Sequence, residues 1–182
     1  MRLLAITPNW LGDMVMGSAL LQSIKAQAPS TQITALAPAA AAPLLDRIDA
    51  VDQVIQSPFG HGGLQLRSRR SFARSLPEFD AAVVLPNSFK SALIPWMAGI
   101  PVRVGWLGEQ RYGVLTQRPK LNKADYPRMV DRYLALAKPL GFEVTAQRPT
   151  MTAHALSNGE LMPGEYVVLA PGAAFGSAKR WP

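Results

Sequence analysis

Asp13 lies in the stretch TPNWLGDMVMGSAL (residues 7–20), a carboxylate placed directly after Gly12 between a short apolar run and a segment of helical period. It has two readings. As a helix N-cap, an aspartate accepts the unpaired N–H groups of the first turn and suits the positive end of the helix dipole. As a catalytic group, a carboxylate at the carboxyl end of a strand in an open α/β sheet faces the crevice where ligands bind, and can take a proton from a substrate hydroxyl. Gly12 and Gly17 allow close approach by a ligand or by another stretch of backbone. Helix-to-sheet packing accounts for Gly17 equally well.

Three further stretches carry polar groups that chemistry uses. In LPNSFKSAL (85–93), Asn87, Ser88 and Lys90 follow an apolar strand-like run, again where the crevice opens; Ser88 serves either as a helix cap or as a substrate contact, or both. In LQLRSRRSFARSLPEF (64–79), Arg67, Arg70 and Arg74 recur at i, i+3 and i+7 on one helical face, with Phe72, Leu76 and Phe79 on another. Arginine suits a bidentate grip on phosphate or carboxylate, but a solvated helix face has the same pattern. In PGAAFGSAKRWP (171–182), Gly172, Gly176, Ser177 and Lys179 supply the ingredients of a phosphate cradle: free backbone N–H groups, a hydroxyl and an ammonium. The spacing fits neither G-x-x-x-x-G-K-[ST] nor G-x-G-x-x-G, so an ordinary turn with an exposed lysine competes with it. Trp10, Trp96 and Trp106 read as core or as walls of the crevice.

The elements that must hold these residues follow from hydrophobic period. Apolar runs at 3–6, 33–37, 51–55, 81–86, 102–106 and 166–170 are the strand candidates, several apolar throughout, as in sheets covered by helices on both faces. Between the first two, Met16, Ala19, Leu20 and Ile24 recur at helical spacing and Pro29 ends the helix. In ADYPRMVDRYLALAKPLGF (124–142), Asp125 is the expected N-cap and Pro127 the first-turn proline; Val130, Tyr133, Leu134 and Ala137 form the buried stripe, and Gly141 is the stop. Strands alternating with helices predict an α/β fold with a parallel, Rossmann-like sheet. SNGELMPGE (157–165) reads as a linker, and the strand after it as the opening of a second domain, or else as the last strand of the same sheet.

Composition narrows the function classes. The 182 residues are 48% hydrophobic and 17% charged, enough for a packed core. There is no cysteine and there are only two histidines, so disulfides and thiolate metal sites are excluded. No apolar run reaches the roughly 20 residues of a membrane span, and the N-terminus lacks the form of a signal peptide, which makes the cytoplasm the expected compartment. The formal net charge of +7 favours anionic partners.

NWLGDMVM, LPNSFKSAL, RVGW, MVDRYLALA and PGAAFGSAKRWP, in this order, resemble the ADP-heptose:lipopolysaccharide heptosyltransferases of glycosyltransferase family 9, and most of all the members that add the second inner-core heptose. The resemblance covers nearly the whole chain and implies the N-terminal half of a GT-B glycosyltransferase. On that basis residues 1–156 are expected to form the acceptor-binding Rossmann-like domain, 157–165 a linker, and 166–182 the cut-off start of the nucleotide-sugar-binding domain. It implies Asp13 as general base in an inverting transfer from ADP-L-glycero-β-D-manno-heptose. Gly12, Ser177 and Lys179 are expected on the donor side, with Lys179 meeting the departing ADP phosphates. Asn87, Ser88, Lys90, Arg67 and Arg70 are expected on the acceptor side. No cofactor and no divalent metal are expected. The implied partners are ADP-heptose, the lipopolysaccharide inner core and the cytoplasmic surface of the inner membrane, not nucleic acid. The chain alone is expected to be inactive, with an exposed inter-domain face. The rival readings are a non-enzymatic basic module binding an anionic ligand or nucleic acid, and a functionless remnant that still folds.

Overall fold

The computed structural model describes residues 1–60 and 63–152, together with 167 and 169. Five strands, β1 (Arg2–Ile6), β2 (Gln32–Pro38), β3 (Gln53–Ser57), β4 (Ala81–Val84) and β5 (Val102–Val104), form one all-parallel sheet in the order β3-β2-β1-β4-β5. β1 is central, with Leu3 paired to Ile33 on one side and to Ala81 on the other. The expected Rossmann-like α/β sheet is what forms. Its uninterrupted apolar strands follow from burial on both faces, because successive side chains point to opposite sides. Leu3, Ala5, Ile33, Ala35 and Val83 enter one core; Leu4, Ile6, Leu36, Ala82 and Val84 enter the other.

On the first face lie α1 (Leu11–Gln27), a short α2 (Ala42–Leu45) and α5 (Met129–Leu134), contributing Leu20, Leu21, Ile24, Leu45 and Tyr133. The second face is covered by α3 (Leu66–Ser75) and α4 (Phe89–Met97), through Ala73, Ala92, Leu93 and Ile94. α1 ends at Gln27, two residues before Pro29, since the residue preceding a proline is sterically driven out of the helical region. Its last-turn Lys25 donates to both oxygens of Asp52 at 2.7 Å, and Asp52 in turn accepts from the Ile33 backbone N–H at 2.7 Å.

Residues 124–142 depart from expectation at their start. Neither Asp125 nor Pro127 belongs to the helix: α5 begins at Met129, with Arg128 as its boundary residue. Pro127 disfavours helical backbone at Tyr126, and the carbonyls of Tyr126 and Pro127 are instead taken by Arg132, at 2.8 and 3.1 Å. The helix then tightens into a 3₁₀ segment, Ala135–Leu140, and stops at Gly141 with φ 89°, the left-handed stop glycine supplies.

The outer edge of β5 is occupied by the chain's own return. Thr116 and Gln117 donate backbone N–H groups to the Arg103 carbonyl, Gly105 N–H donates to Gln117, and Arg103 N–H donates to Thr116 Oγ1 at 2.7 Å. Met1–Thr152 forms one compact unit. The expected linker at 157–165 lies outside the described residues, as do all but two residues of the strand at 166–170. Among the described residues no helix is long and apolar enough to cross a membrane.

Candidate functional site

The sheet order reverses between β1 and β4, and it is there, beyond the carboxyl ends of the strands, that open α/β sheets take ligands. A cavity of about 690 Å³ occupies that position. The β1–α1 loop forms one wall and the β4–α4 loop another, with further residues from the end of β3, from α3 and from α5. Asp13, Asn87, Ser88 and Lys90 all line it.

Asp13 is not the N-cap. Trp10, in an extended conformation, is the boundary residue of α1, and the helix starts without a side-chain cap hydrogen bond. Asp13 is therefore the third helical residue, half-buried and lining the cavity, where the N-terminal dipole favours a negative charge. One turn on, a Cβ on Gly17 would stand 3.0 Å from Leu85 Cδ1 and 3.9 Å from the Tyr133 ring. Gly17 is thus a packing glycine that lets Leu85 come close to α1, with the Tyr133 ring in ordinary contact beside it. Burial, and then the nearby Asp13 carboxylate, push the Tyr133 phenol up to about 12, so it keeps its proton at neutral pH. Gly12 has open space around its Cβ position and does not line the cavity.

Ser88 occupies the N-cap position of α4 but makes no side-chain cap hydrogen bond. Glu109 does the work instead, its Oε2 accepting from the Phe89 N–H at 2.7 Å. Glu109 and Gln110 both have positive φ, 41° and 54°, in the left-handed region that side chains enter only when their surroundings impose it. Next to them Arg111 is fully buried. Its guanidinium donates to the carbonyls of Pro86, at 2.8 Å, and Trp106, and to Asn87 Oδ1 at 3.4 Å. Burial lowers Arg111 to about 10, partly offset by Glu109, so it remains a cation at neutral pH.

The arginine segment places its charges differently from expectation. Arg67, Arg70 and Arg74 are exposed on the outer face of α3 and do not line the cavity. Arg69 does. It is only 5% exposed, its Nε donates to the Leu64 carbonyl at 2.9 Å, and its guanidinium lies 4.4 Å from the centroid of Phe59. Burial lowers its pKa. The signal was present in the sequence: Arg69 shares the helical stripe of Phe72, Ala73 and Leu76 that faces the second core. Of the tryptophans, Trp10 and Trp106 line the cavity, Trp10 half-exposed and Trp106 buried; Trp96 is exposed on α4 and forms neither core nor wall. Ser177 and Lys179 lie outside the described residues.

The charged lining comprises Arg69, Lys90, Lys123 and Arg132 against Asp13 and Glu109, an excess of cations suited to an anionic ligand. Among the described residues no group of three histidines or carboxylates is placed to hold a metal ion. The arrangement therefore offers a carboxylate able to accept a proton, amide and hydroxyl groups for positioning, and cations for an anion.

Comparison with known proteins gives a consistent result. Residues 69–182 match the family described as glycosyltransferase family 9 (heptosyltransferase). The chain is 44% identical over 202 residues to lipopolysaccharide heptosyltransferase 2 of Escherichia coli K12, and 43% identical over 201 residues to lipooligosaccharide heptosyltransferase 2 of Haemophilus ducreyi. Each match takes in 100% of this chain but 57% of the relative, so the chain spans a little over half their length. The solved structure of E. coli ADP-heptose lipopolysaccharide heptosyltransferase II superposes with a TM-score of 0.83 at 38% identity, covering 100% of this chain and 58% of that one. E. coli heptosyltransferase WaaC with ADP shares the fold, with a TM-score of 0.65 at 20% identity over 82% of this chain and 50% of that one.

Proposed function

The chain belongs to glycosyltransferase family 9, and from that premise we propose that the full-length protein transfers heptose from ADP-L-glycero-β-D-manno-heptose to the inner-core heptose of lipopolysaccharide. The observation that carries this reading is the position of Asp13, its carboxylate on the wall of the cavity at the β1/β4 reversal, facing a lining rich in cations. Asp13 acts as general base. It takes the proton of the acceptor hydroxyl as that oxygen bonds to the anomeric carbon, while the bond from that carbon to the ADP phosphate oxygen breaks on the opposite side. The configuration inverts. Positive charge building on the sugar is stabilised by the same carboxylate.

Asn87, Ser88 and Lys90 hold the acceptor, and Arg69 grips its phosphate or carboxylate groups directly. Arg67 and Arg70, on the outer face of α3, guide it in from the membrane surface. Lys179 and Ser177, together with Gly12, neutralise and seat the leaving ADP without a divalent metal. The domain division of 1–156, 157–165 and 166–182 belongs to the same reading, and the 182-residue chain alone transfers nothing. The protein works in the cytoplasm, at the inner face of the inner membrane, where its amphiphilic acceptor lies.

The test is a transfer assay with the full-length gene product, ADP-heptose and a core acceptor bearing one heptose, with the anomeric configuration of the product read by NMR. Transfer with inversion, abolished by Asp13→Ala and indifferent to EDTA, is the expected result. Unchanged transfer by Asp13→Ala would overturn the base assignment, and absence of transfer by the wild type would overturn the activity.

A further inference from the structure

Arg111 is fully buried, yet among the described residues it touches nothing anionic at hydrogen-bond distance; its N–H groups converge on one corner, the carbonyls of Pro86 and Trp106 and the side-chain oxygen of Asn87. Its Nε has no partner among the described residues. A buried guanidinium left partly unsatisfied is costly, and is retained where its remaining bonds fix something that matters. A guanidinium has donors only, so it can hold only the oxygen of the Asn87 amide. Asn87 also packs against bare backbone: a Cβ on Gly108 would stand 3.1 Å from the Asn87 carbonyl oxygen, 3.4 Å from its Cβ and 3.8 Å from its Cγ. With its oxygen taken by the cation, the amide keeps Nδ2 as its donor, on a residue that lines the cavity.

We propose that Arg111 is a positioning residue that fixes Asn87 as a hydrogen-bond donor, so that this corner of the cavity selects an anionic oxygen of the ligand, a carboxylate or phosphate. The inference rests on the proposed transfer reaction for its ligand but not for its geometry. The excess of cations in the lining, with Lys90 three residues further on in the first turn of α4, favours an anionic oxygen over a hydroxyl.

The experiment measures KM for the acceptor, kcat and melting temperature in the full-length enzyme. Asn87→Asp keeps an oxygen for Arg111 but removes the donor; it should raise acceptor KM about tenfold or more, with kcat within about twofold and an undiminished melting temperature. Arg111→Lys and Gly108→Ala should raise KM as well, and their effects should vanish in an Asn87→Ala background, where there is no amide left to orient. A persistent, additive loss in that background would mean a merely structural role and overturn the proposal, as would an acceptor KM for Asn87→Asp within twofold of wild type. A dephosphorylated acceptor separates the two sources: the Asn87→Asp penalty disappears if the oxygen is a phosphate's and remains if it is a carboxylate's. Should the wild type transfer no heptose, the proposed activity fails, and the Arg111–Oδ1 contact is decided by stability alone. Asn87→Asp melting at or above wild type supports it; melting as low as Asn87→Leu overturns it.

Discussion

The two loops that line the cavity on either side of the sheet reversal differ in how much outside support they receive. The β1–α1 loop is tied by backbone: Thr7 donates its N–H and its hydroxyl to the Leu36 carbonyl at 3.1 and 3.2 Å, and Trp10 accepts the first bond of α1 from Met14. Asp13 then rides on a helix of 17 residues and needs no side chain to place it. The β4–α4 loop has a backbone tie of the same kind, Leu85 N–H to the Ile6 carbonyl at 3.1 Å, but is held in addition from outside, by Arg111 on the Pro86 carbonyl and Glu109 on the first N–H of α4. The difference separates chemistry from support. On the first loop the proposed base and the scaffold are independent, so loss of one leaves the other standing; on the second, the groups that shape the cavity also stabilise the fold.

The sharpest test of that contrast is Asp13→Asn. It should lower transfer by on the order of 100- to 10,000-fold, the range of a lost general base. Thermal stability should change by no more than about 1 kcal/mol, the helix-dipole contribution of one carboxylate. A cooperative loss of stability in Asp13→Asn would break the comparison at its first loop.

Arg111→Met is the counterpart on the second. Two carbonyls lose their donor at once, and with about 1–3 kcal/mol for each unsatisfied buried group the expected destabilisation is about 3 kcal/mol, read by denaturant titration. A smaller pair of effects follows within α3. Arg69→Gln should raise acceptor KM about tenfold, because a buried charge-assisted hydrogen bond is lost. Exposed Arg67→Gln and Arg70→Gln should each change it by only about twofold and lose that effect in high salt. Equal effects at all three would mean that the outer face of α3, and not the cavity, holds the anion.

The smallest expected effect lies away from both loops, at Asp52. Burial works to raise its pKa, but the Ile33 N–H and then Lys25 outweigh it and hold the carboxyl below the usual 3.8. A carboxyl depressed in the folded state stabilises above its unfolded pKa, and that contribution is lost as pH falls through the folded value. Stability should therefore decline below about pH 4, and Asp52→Asn should make that decline shallower without abolishing it, since Asp80 and Asp131 are held low as well, at a cost of about 1 kcal/mol at neutral pH, followed as melting temperature against pH.

Much of this was legible before any coordinates. The five strands lie within about two residues of their apolar runs; the signal is continuous hydrophobicity in the inner strands β1 and β4, buried on both faces, and weaker at the edges, where β3 (QVIQS) and β5 (VRV) are only part-buried. Asp13, Asn87, Ser88 and Lys90 are expected at the crevice because strand-to-helix loops gather there, and all four line the cavity. Arg69 was missed because the exposed i, i+3, i+7 arginines drew attention to the wrong face, although Arg69 shares the apolar stripe. Glu109 and Arg111 had no signal to read. They lie in a loop without period, and their partners, at Phe89 and Pro86, are 20 and 25 residues away. The cap readings of Asp13 and Asp125 fail together, since each rests on residue type near a helix start; Ser88 does hold the N-cap position of α4, but without a side-chain cap bond.

The return of residues 116–117 along β5 has a consequence for how the chain must be made. A parallel sheet ending in a three-residue strand presents a row of unpaired backbone groups, the feature through which strands of separate molecules recruit one another. Here the guard is supplied in cis, 13 residues further along. A nascent chain that has emerged only as far as β5 carries an open margin, and becomes safe from its neighbours once Gln117 has followed.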